Sequence, residues 1–519
     1  MNIWNVSMEC AGIAEAGGVK NVTYALCKGF KNLGNEVTLF IPVFKCNNWE
    51  HIKDLQENVK TSHISTYKKD FVVSYSTATF DNPDFKIVFI NNEIFSEKED
   101  IYTYTTNEQK LNPENKKGTG HKDFLLKDVL FQKAVVQYGL MEDKENLPDI
   151  IHCQDASTAM IPAFINELEV YSKTKCVVTI HNAGPYYHHS FINAKEAKFY
   201  TDFDDNLINK SLNGEKVEPF LLAANSNAIL TTVSEHYAQE LIDPNNNEQT
   251  EGLSSIFYNN KYNITGITNG IDFSLYNPKD INISKLPYEF NTETLDLSGK
   301  YECRYYFIDK INNHFFFEDK QYGCLDNIDD NTIFFAYHGR ITTQKGINLL
   351  CAVIPRLLSI YSNIKFIITG QGELKLESNI KKLTEDFKGR IVFFNGYNKK
   401  IARLTSACCD FIILPSCFEP CGLEDFIAQI YGTLPIAHKT GGLCKIVDNE
   451  TGFLYIDNTL TSLQNRIENV IKLKRDNPKI IQKLIQNAAS YIHKNYSWNN
   501  IIENKYLPFF EKIVEKKQN

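Results

Sequence analysis

No two of the thirteen cysteines form a C-x-x-C pair, and Cys408 and Cys409 fall inside an apparent helix. Such scatter argues against a disulfide frame or a zinc site, and for free thiols in a reduced cytoplasm. Hydrophobic runs are short: none reaches the ~20 residues a bilayer requires, and MNIWNVSMEC has no basic lead into an apolar core. No membrane partner and no secretory signal are expected. Positive charge is scarce, with 55 Lys and Arg against 63 Asp and Glu and a formal net charge of −8. That balance also argues against a nucleic-acid partner. No Asp-x-Asp pair closes a predicted strand, so no metal is expected. Gly17-Gly18 does not supply the Gly-x-Gly-x-x-Gly and downstream acid of a dinucleotide-dependent dehydrogenase. No repeat of roughly 20–50 residues is evident.

What remains is a chain of 519 residues, 43% hydrophobic and 23% charged. Those are ordinary values for a soluble enzyme, and the length is too great for one core, so two α/β domains are predicted. The most informative stretch is Ser416 to Leu443. An apolar run, Phe411 to Leu414, reads as a buried strand. A loop follows with one carboxylate, Glu419, between Ser416 and the small residues Cys421 and Gly422. Leu423 to Tyr431 reads as a helix, Leu434 to Ala437 as the next strand, and Thr440-Gly441-Gly442 as a loop opening another helix. In a parallel sheet such turns share one edge, where helix N-termini offer N–H groups to anions. A carboxylate beside an anion cradle suits a ligand that is sugar at one end and phosphate at the other.

Elsewhere the same grammar recurs. A strand over Met1 to Met8 leads through Gly17-Gly18 into a helix carrying Val22 to Leu33, which is either a phosphate cradle or a tight turn. Glu36 to Phe40 and Phe85 to Ile90 read as strands, and Glu97 to Asn115 as a mobile surface loop. Asn115 to Asp123 holds His121 before a helix from Phe124 to Leu140, and is either a groove lining or simply a polar helix start. A strand ends at Gln154-Asp155 before a helix from Ser157, and another, Cys176 to Ile180, delivers His181 and Asn182. Polar residues in those positions face the crevice of an α/β sheet. His188 and His189 read as surface or loop histidines. Ala228 to Val233 is a strand, with Ser234 capping the helix after it; Asn269-Gly270 favours a tight turn. Residues 279–331, including the aromatic insert Tyr301 to Phe317, read as a linker and an opening helix.

Ile333 to Tyr337 is a strand feeding His338-Gly339-Arg340-Ile341-Thr342-Thr343-Gln344-Lys345-Gly346 and a helix from Ile347. Five residues apart across one turn, Arg340 and Lys345 can face a single anion or form a solvated loop. Ile364 to Ile368 leads into Thr369-Gly370-Gln371-Gly372, and Phe393 to Asn395 into Gly396-Tyr397, whose ring either stacks on a base or packs.

Glu-Pro-Cys-Gly-Leu, Tyr-Gly-Thr-Leu-Pro-Ile and Thr-Gly-Gly-Leu, in this order and spacing, resemble the bacterial glycogen and plant starch synthases. Agreement extends through Thr-Ile-His-Asn at 179–182, Gly266 to Asp272, and Arg340 to Gly346. The resemblance implies a GT-B fold: two Rossmann-like, doubly wound α/β domains facing a deep inter-domain cleft, at 1–278 and 279–490, with 491–519 crossing back to the first. It implies a retaining glucosyltransferase moving glucose from ADP-glucose or UDP-glucose to an α-1,4-glucan without metal or cofactor. His181, Arg340, Lys345 and Glu419 would be catalytic. Gly17, Gly18, Asn269, Gly372, Tyr397, the Cys421-Gly422-Leu423 turn and Thr440-Gly441-Gly442 would hold the donor. His121, Asp155 and Asn182 would hold the glucan. The chain departs from that family at Glu15, where it usually has lysine, at Asn21, where it has aspartate, and at Glu424-Asp425. A small-acceptor transferase of the sucrose or trehalose type and a non-catalytic glucan-binding homologue are the alternatives; a phosphorylase would need a pyridoxal lysine that is not discernible.

Overall fold

The computed structural model describes residues 1–316 and 320–515, so Phe317 at the end of the aromatic insert lies outside the described residues. The chain divides into two compact units, residues 1–269 with 498–519, and residues 270–497.

The first unit is built on β1 (Asn2–Val6), β2 (Glu36–Pro42), β3 (Ile52–Thr66), β4 (Lys69–Phe80), β5 (Lys86–Asn91), β6 (Ile150–Gln154) and β7 (Lys175–Ile180), a short hairpin β8 (Leu212–Asn213) and β9 (Lys216–Val217), then β10 (Ile229–Thr232) and β11 (Ile264–Gly266). Its nine-stranded sheet runs β11-β10-β7-β6-β1-β2-β5-β4-β3. All pairings are parallel except β3 with β4 and β4 with β5. β1 lies between β2 and β6, so the strand order reverses there, and the loops after β1 and β6 open at one place. The helix Val19–Asn32 covers one face. The chain's end packs on it: the Phe30 and Phe510 rings stack at 5.1 Å, and a Cβ on Gly29 would sit 2.1 Å from Ile502 Cδ1.

The second unit carries β12 (Gln321–Gly323), β13 (Ile333–His338), β14 (Ile364–Gly370), β15 (Ile391–Asn395), β16 (Phe411–Leu414), β17 (Leu434–His438) and β18 (Phe453–Tyr455). Their order is β12-β15-β14-β13-β16-β17-β18, parallel throughout but for β12 against β15. Every residue of β13 and β14 is buried, as expected of parallel strands covered on both faces. Even Lys365 is buried in β14, with Nζ donating to the Asp326 and Gly389 carbonyls. β13, between β14 and β16, is this unit's point of reversal.

Four local expectations are corrected. Residues 97–115 are not one loop, since Thr106–Leu111 is helical behind a capping box between Thr105 and Glu108. The helix from Ser157 is a 3-10 turn, Ala156–Thr158, and a separate short helix, Ile161–Ile165, with Pro162 in its first turn. Behind Thr440 stands a single 3-10 turn, Gly441–Lys445. His188 and His189 are loop residues but not surface ones: His188 is 4% exposed and faces buried Glu218 at 3.1 Å, and His189 Nδ1 lies 2.5 Å from buried Asp128. Burial opposes charge on His188, but Glu218 outweighs it and raises the imidazole's pKa. Among the described residues no helix is long and apolar enough to cross a membrane. None of their His, Cys, Asp and Glu side chains form a group of three that could hold a metal.

Candidate functional site

A cavity of about 370 Å³ opens at the carboxyl ends of β13, β14 and β16 in the second unit. Arg340, Lys345, Tyr397, Glu419, Gly422 and Leu423 all line it. Lys345 ends a 3-10 turn that closes on Gly346, whose φ of +69° and whose approach to Pro415 (a Cβ would lie 1.9 Å from its carbonyl oxygen) admit only glycine. That turn brings Lys345 Nζ 2.6 Å from Glu419 Oε2, and the Ser416 hydroxyl donates to the same oxygen at 3.0 Å. Burial raises the Glu419 pKa; Lys345 and Ser416 outweigh it and hold the carboxyl below its ordinary value. Arg340 Nη2 donates to Gln344 at 3.1 Å. The site therefore has the Glu419 carboxylate fixed in place, one ammonium already aligned on it, and a guanidinium on a short tether, with Glu424 and Asp425 also on the cavity wall.

The loops on which these groups stand are tied by a residue that no local pattern singles out. Lys445 Nζ donates to the carbonyls of Cys421, Gly422 and Gly442 at 2.6, 2.9 and 3.0 Å and to Asp425 Oδ1 at 2.9 Å. The Gly442 N–H donates to the Glu419 carbonyl at 2.8 Å, so it locks loop to loop and is not free for an anion. Burial pushes Asp425 up to about 6 in spite of Lys445. Neither acidic residue after Leu423 stands alone, because Glu424 pairs with His338 Nδ1 at 2.9 Å. Gly372 is not on the cavity wall. Its N–H donates to Glu377 at 2.7 Å and its Cα packs on Ile341, while Gly370 and Gln371 face the cavity instead. Tyr397 lies at the rim, 75% exposed.

In the first unit the loop after β1 is organised by Glu9. Its buried carboxylate accepts from the N–H groups of Ala16 and Gly17 at 3.2 and 2.6 Å and from the Tyr102 hydroxyl at 3.2 Å. The Gly17 N–H expected to await a phosphate is thus already engaged, and Gly18 caps the helix behind it. Glu15, the residue that departs from lysine, pairs with Lys20 at 2.9 Å. Asp155 takes φ +68° at the end of β6, a left-handed backbone rare outside glycine. Burial raises it to about 7 against the pull of His189 and of the N–H groups of Ala156, His181 and Asn182. His181 Nε2 meets Gln154 at 2.8 Å, and burial pushes this imidazole down to about 3, leaving it neutral. Asn182 accepts from the Gly184 N–H at 2.8 Å. Asn269 is buried with its Oδ1 unpaired. His121 is 1% exposed against Tyr104, so its ring lines no open groove. Sequence reasoning misses Glu9 and Lys445 because their partners are set by tertiary packing. His338 does carry a signal, as a polar residue at the end of a buried strand.

Gly346→Ala is expected to cost more than the left-handed backbone strain of about 1–2 kcal/mol, because the new Cβ also meets the Pro415 carbonyl, and displacement of Lys345 should lower turnover tenfold or more. Thermal melting and steady-state kinetics on the variant check both.

A family model for the starch synthase catalytic domain matches residues 2–259, and one for glycosyl transferases group 1 matches residues 326–490. The chain is 28% identical to a glycogen synthase of Thermodesulfovibrio yellowstonii over 548 residues, covering 100% of this chain and 99% of that one. To a glycogen synthase of Flavobacterium johnsoniae it is 28% identical over 543 residues, with full coverage of both. Its fold is shared with the catalytic domain of Starch Synthase IV from Arabidopsis thaliana, solved with ADP and acarbose, at a TM-score of 0.79, 22% identity and 99% coverage of each chain. A sucrose-phosphate synthase from Thermosynechococcus elongatus matches more distantly, at a TM-score of 0.55 and 14% identity over 99% of each chain. Two Rossmann-like units, both family models in chain order and relatives matched end to end identify the chain as a GT-B glycosyltransferase of the glycogen and starch synthase type.

Proposed function

We propose that the protein transfers glucose from ADP-glucose or UDP-glucose to the non-reducing end of an α-1,4-glucan, with retention and without metal or cofactor, in the cytoplasm. The observation that carries this is the meeting of Arg340, Lys345 and Glu419 on one cavity at the reversal point of the second unit's sheet. Breaking the anomeric C–O bond leaves a diphosphate with added negative charge. Arg340 and Lys345 would neutralise it, a contribution on the order of 2–4 kcal/mol for each contact made better in the transition state. Glu419 would accept hydroxyls of the glucosyl ring and fix its orientation. The acceptor's 4-hydroxyl enters on the face the diphosphate leaves; its oxygen bonds to the anomeric carbon, and its proton passes to the departing phosphate oxygen. On the first unit Asp155 and Asn182 would hold the glucan, and neutral His181 would contact the glucosyl ring.

Radiolabelled ADP-glucose and UDP-glucose, each supplied with glycogen and with chelator present, provide the test. Label in glycogen from one or both donors is expected. Transfer only to a small sugar would favour the sucrose-type alternative, and glucan binding without transfer a non-catalytic homologue.

A further inference from the structure

Residues 183–188 follow His181 and Asn182 directly, at the carboxyl end of β7, and take no part in the steps above. Within them the Tyr187 N–H donates to the Gly184 carbonyl at 3.2 Å and closes a β-turn. Pro185 stands second in that turn and Tyr186 third, with φ +77°. The third place of a turn with positive φ there ordinarily goes to glycine, because a Cβ is strained in it. Tyr186 keeps a bulky ring in that place and leaves it 99% exposed, so packing does not offset the strain.

His188 holds the turn from behind. Its Nδ1 faces Glu218 Oε2 at 3.1 Å, and its Nε2 faces the Ala183 carbonyl at 2.9 Å. Both partners are acceptors, so both nitrogens carry hydrogen and the ring is the imidazolium. Glu218 is fully buried and also accepts from Asn213 at 3.3 Å, while the Ala183 N–H donates to the Tyr237 hydroxyl at 2.9 Å. The charges that act on the ring are those of Glu218 and of Glu251, which pairs with Lys216 at 3.3 Å. Its neighbour His189 is engaged by Asp128. Loss of one proton from His188 sets a nitrogen lone pair against an oxygen, at Ala183 or at Glu218, and releases the turn.

We propose that the Tyr186 ring is a platform on which a glucosyl unit of the acceptor stacks, and that His188, as the imidazolium, is the positioning residue that holds it there. The C–H face of a pyranose fits an aromatic face, and a strained, uncovered ring on the loop after Asn182 finds such a partner in the glucan. This rests on the reading of the first unit as the glucan side. A turn that only shapes the fold is the competitor, and its loss would show in stability rather than in glucan affinity.

Steady-state kinetics and calorimetric titration with maltoheptaose on the full chain separate the two. Tyr186→Gly relaxes the turn and should not lower the melting temperature. It should nevertheless weaken maltoheptaose binding and raise its KM roughly three- to tenfold, as fits the loss of one aromatic contact, with KM for the nucleotide sugar unmoved. Tyr186→Phe should keep the unmodified values. Burial opposes charge on His188, but Glu218 outweighs it and raises the pKa, so the clamp is complete below the ordinary imidazole value and is lost as pH rises through the raised one. The maltoheptaose KM of the unmodified protein should climb with pH over that window, and in Tyr186→Gly and His188→Gln it should be high and flat. Maltoheptaose affinity unchanged in Tyr186→Gly, or a KM of the unmodified protein that is flat with pH, overturns the proposal and leaves the transferase reading standing. If the unmodified protein neither binds nor elongates maltoheptaose, the glucan reading falls and the proposal with it.

Discussion

Lys345→Ala is expected to lower turnover about a hundredfold or more, in line with the loss of other preorganised electrostatic groups, while the protein stays folded. The ammonium does two things at 2.6 Å from Glu419. It offers charge to an incoming anion, and it lowers the pKa of a carboxyl that burial raises. Without it Glu419 retains Ser416 and the charge of Lys445, its pKa rises, and the residual activity should climb with pH as the carboxylate is restored. Lys345→Arg is not a conservative rescue, because a planar fork cannot reproduce a point contact on one oxygen. Glu419→Ala should give a similar loss, and the double variant should lose much less than the product of the two, since the pair acts as a unit. Stability should fall by no more than about 1–3 kcal/mol, because the pair is partly exposed and an orphaned carboxyl can protonate. Near-normal turnover in Lys345→Ala, measured with a donor that the unmodified protein uses, would refute its assignment.

The parts of this molecule that can be read in the sequence are those governed by local chemistry. Ile333–His338 and Phe411–Leu414 announce themselves because strands buried on both faces need continuous apolar side chains, and the polar residues ending them mark the edge where ligands bind. Arg340, Lys345 and Glu419 each lie just beyond such a strand, so their convergence follows from topology. The hairpin of β3 and β4 cannot be read this way. Lys53 to Val59 are all exposed, register shifts interrupt the pairing twice, and Asp54 and Asn58 have positive φ, so no alternation of apolar and polar residues survives there. The helix Thr106–Leu111 buries nothing and rests on its capping box, a signal without periodicity. His188 meets Glu218 and Glu9 meets Gly17 only once the chain has folded. Among the proposed donor contacts, Gly372 and Gly442 are recognisable as glycines that must be small. Sequence cannot tell that both need to be small for contact with backbone: Gly372 against Ile341, Gly442 against Cys421.

The second large effect is expected at Lys445, and it should appear first in stability. Its side chain is 4% exposed and Asp425's is 0%, so this is a fully enclosed pair with three carbonyl oxygens completing the shell. Lys445→Met keeps most of the volume but removes the ammonium from those oxygens and leaves the carboxylate with a long bond from Gln429 Nε2 at 3.5 Å. Breaking a buried pair from one side costs about 3–5 kcal/mol, against about 1 kcal/mol or less for an exposed pair. The sign of its pH dependence follows from Asp425, whose folded pKa is already raised to about 6 by burial. Removing the lysine raises it further, so the variant loses stability as pH rises through that value and recovers part of it once the carboxyl is protonated. The deficit in urea denaturation should therefore be larger near pH 8 than near pH 5.5. Turnover should fall as well, because the carbonyls of Cys421, Gly422 and Gly442 fix the loop that carries Glu419 to the 3-10 turn behind Thr440. A deficit below about 1 kcal/mol, equal at both pH values, would mean that the two loops hold their places without the buried ammonium.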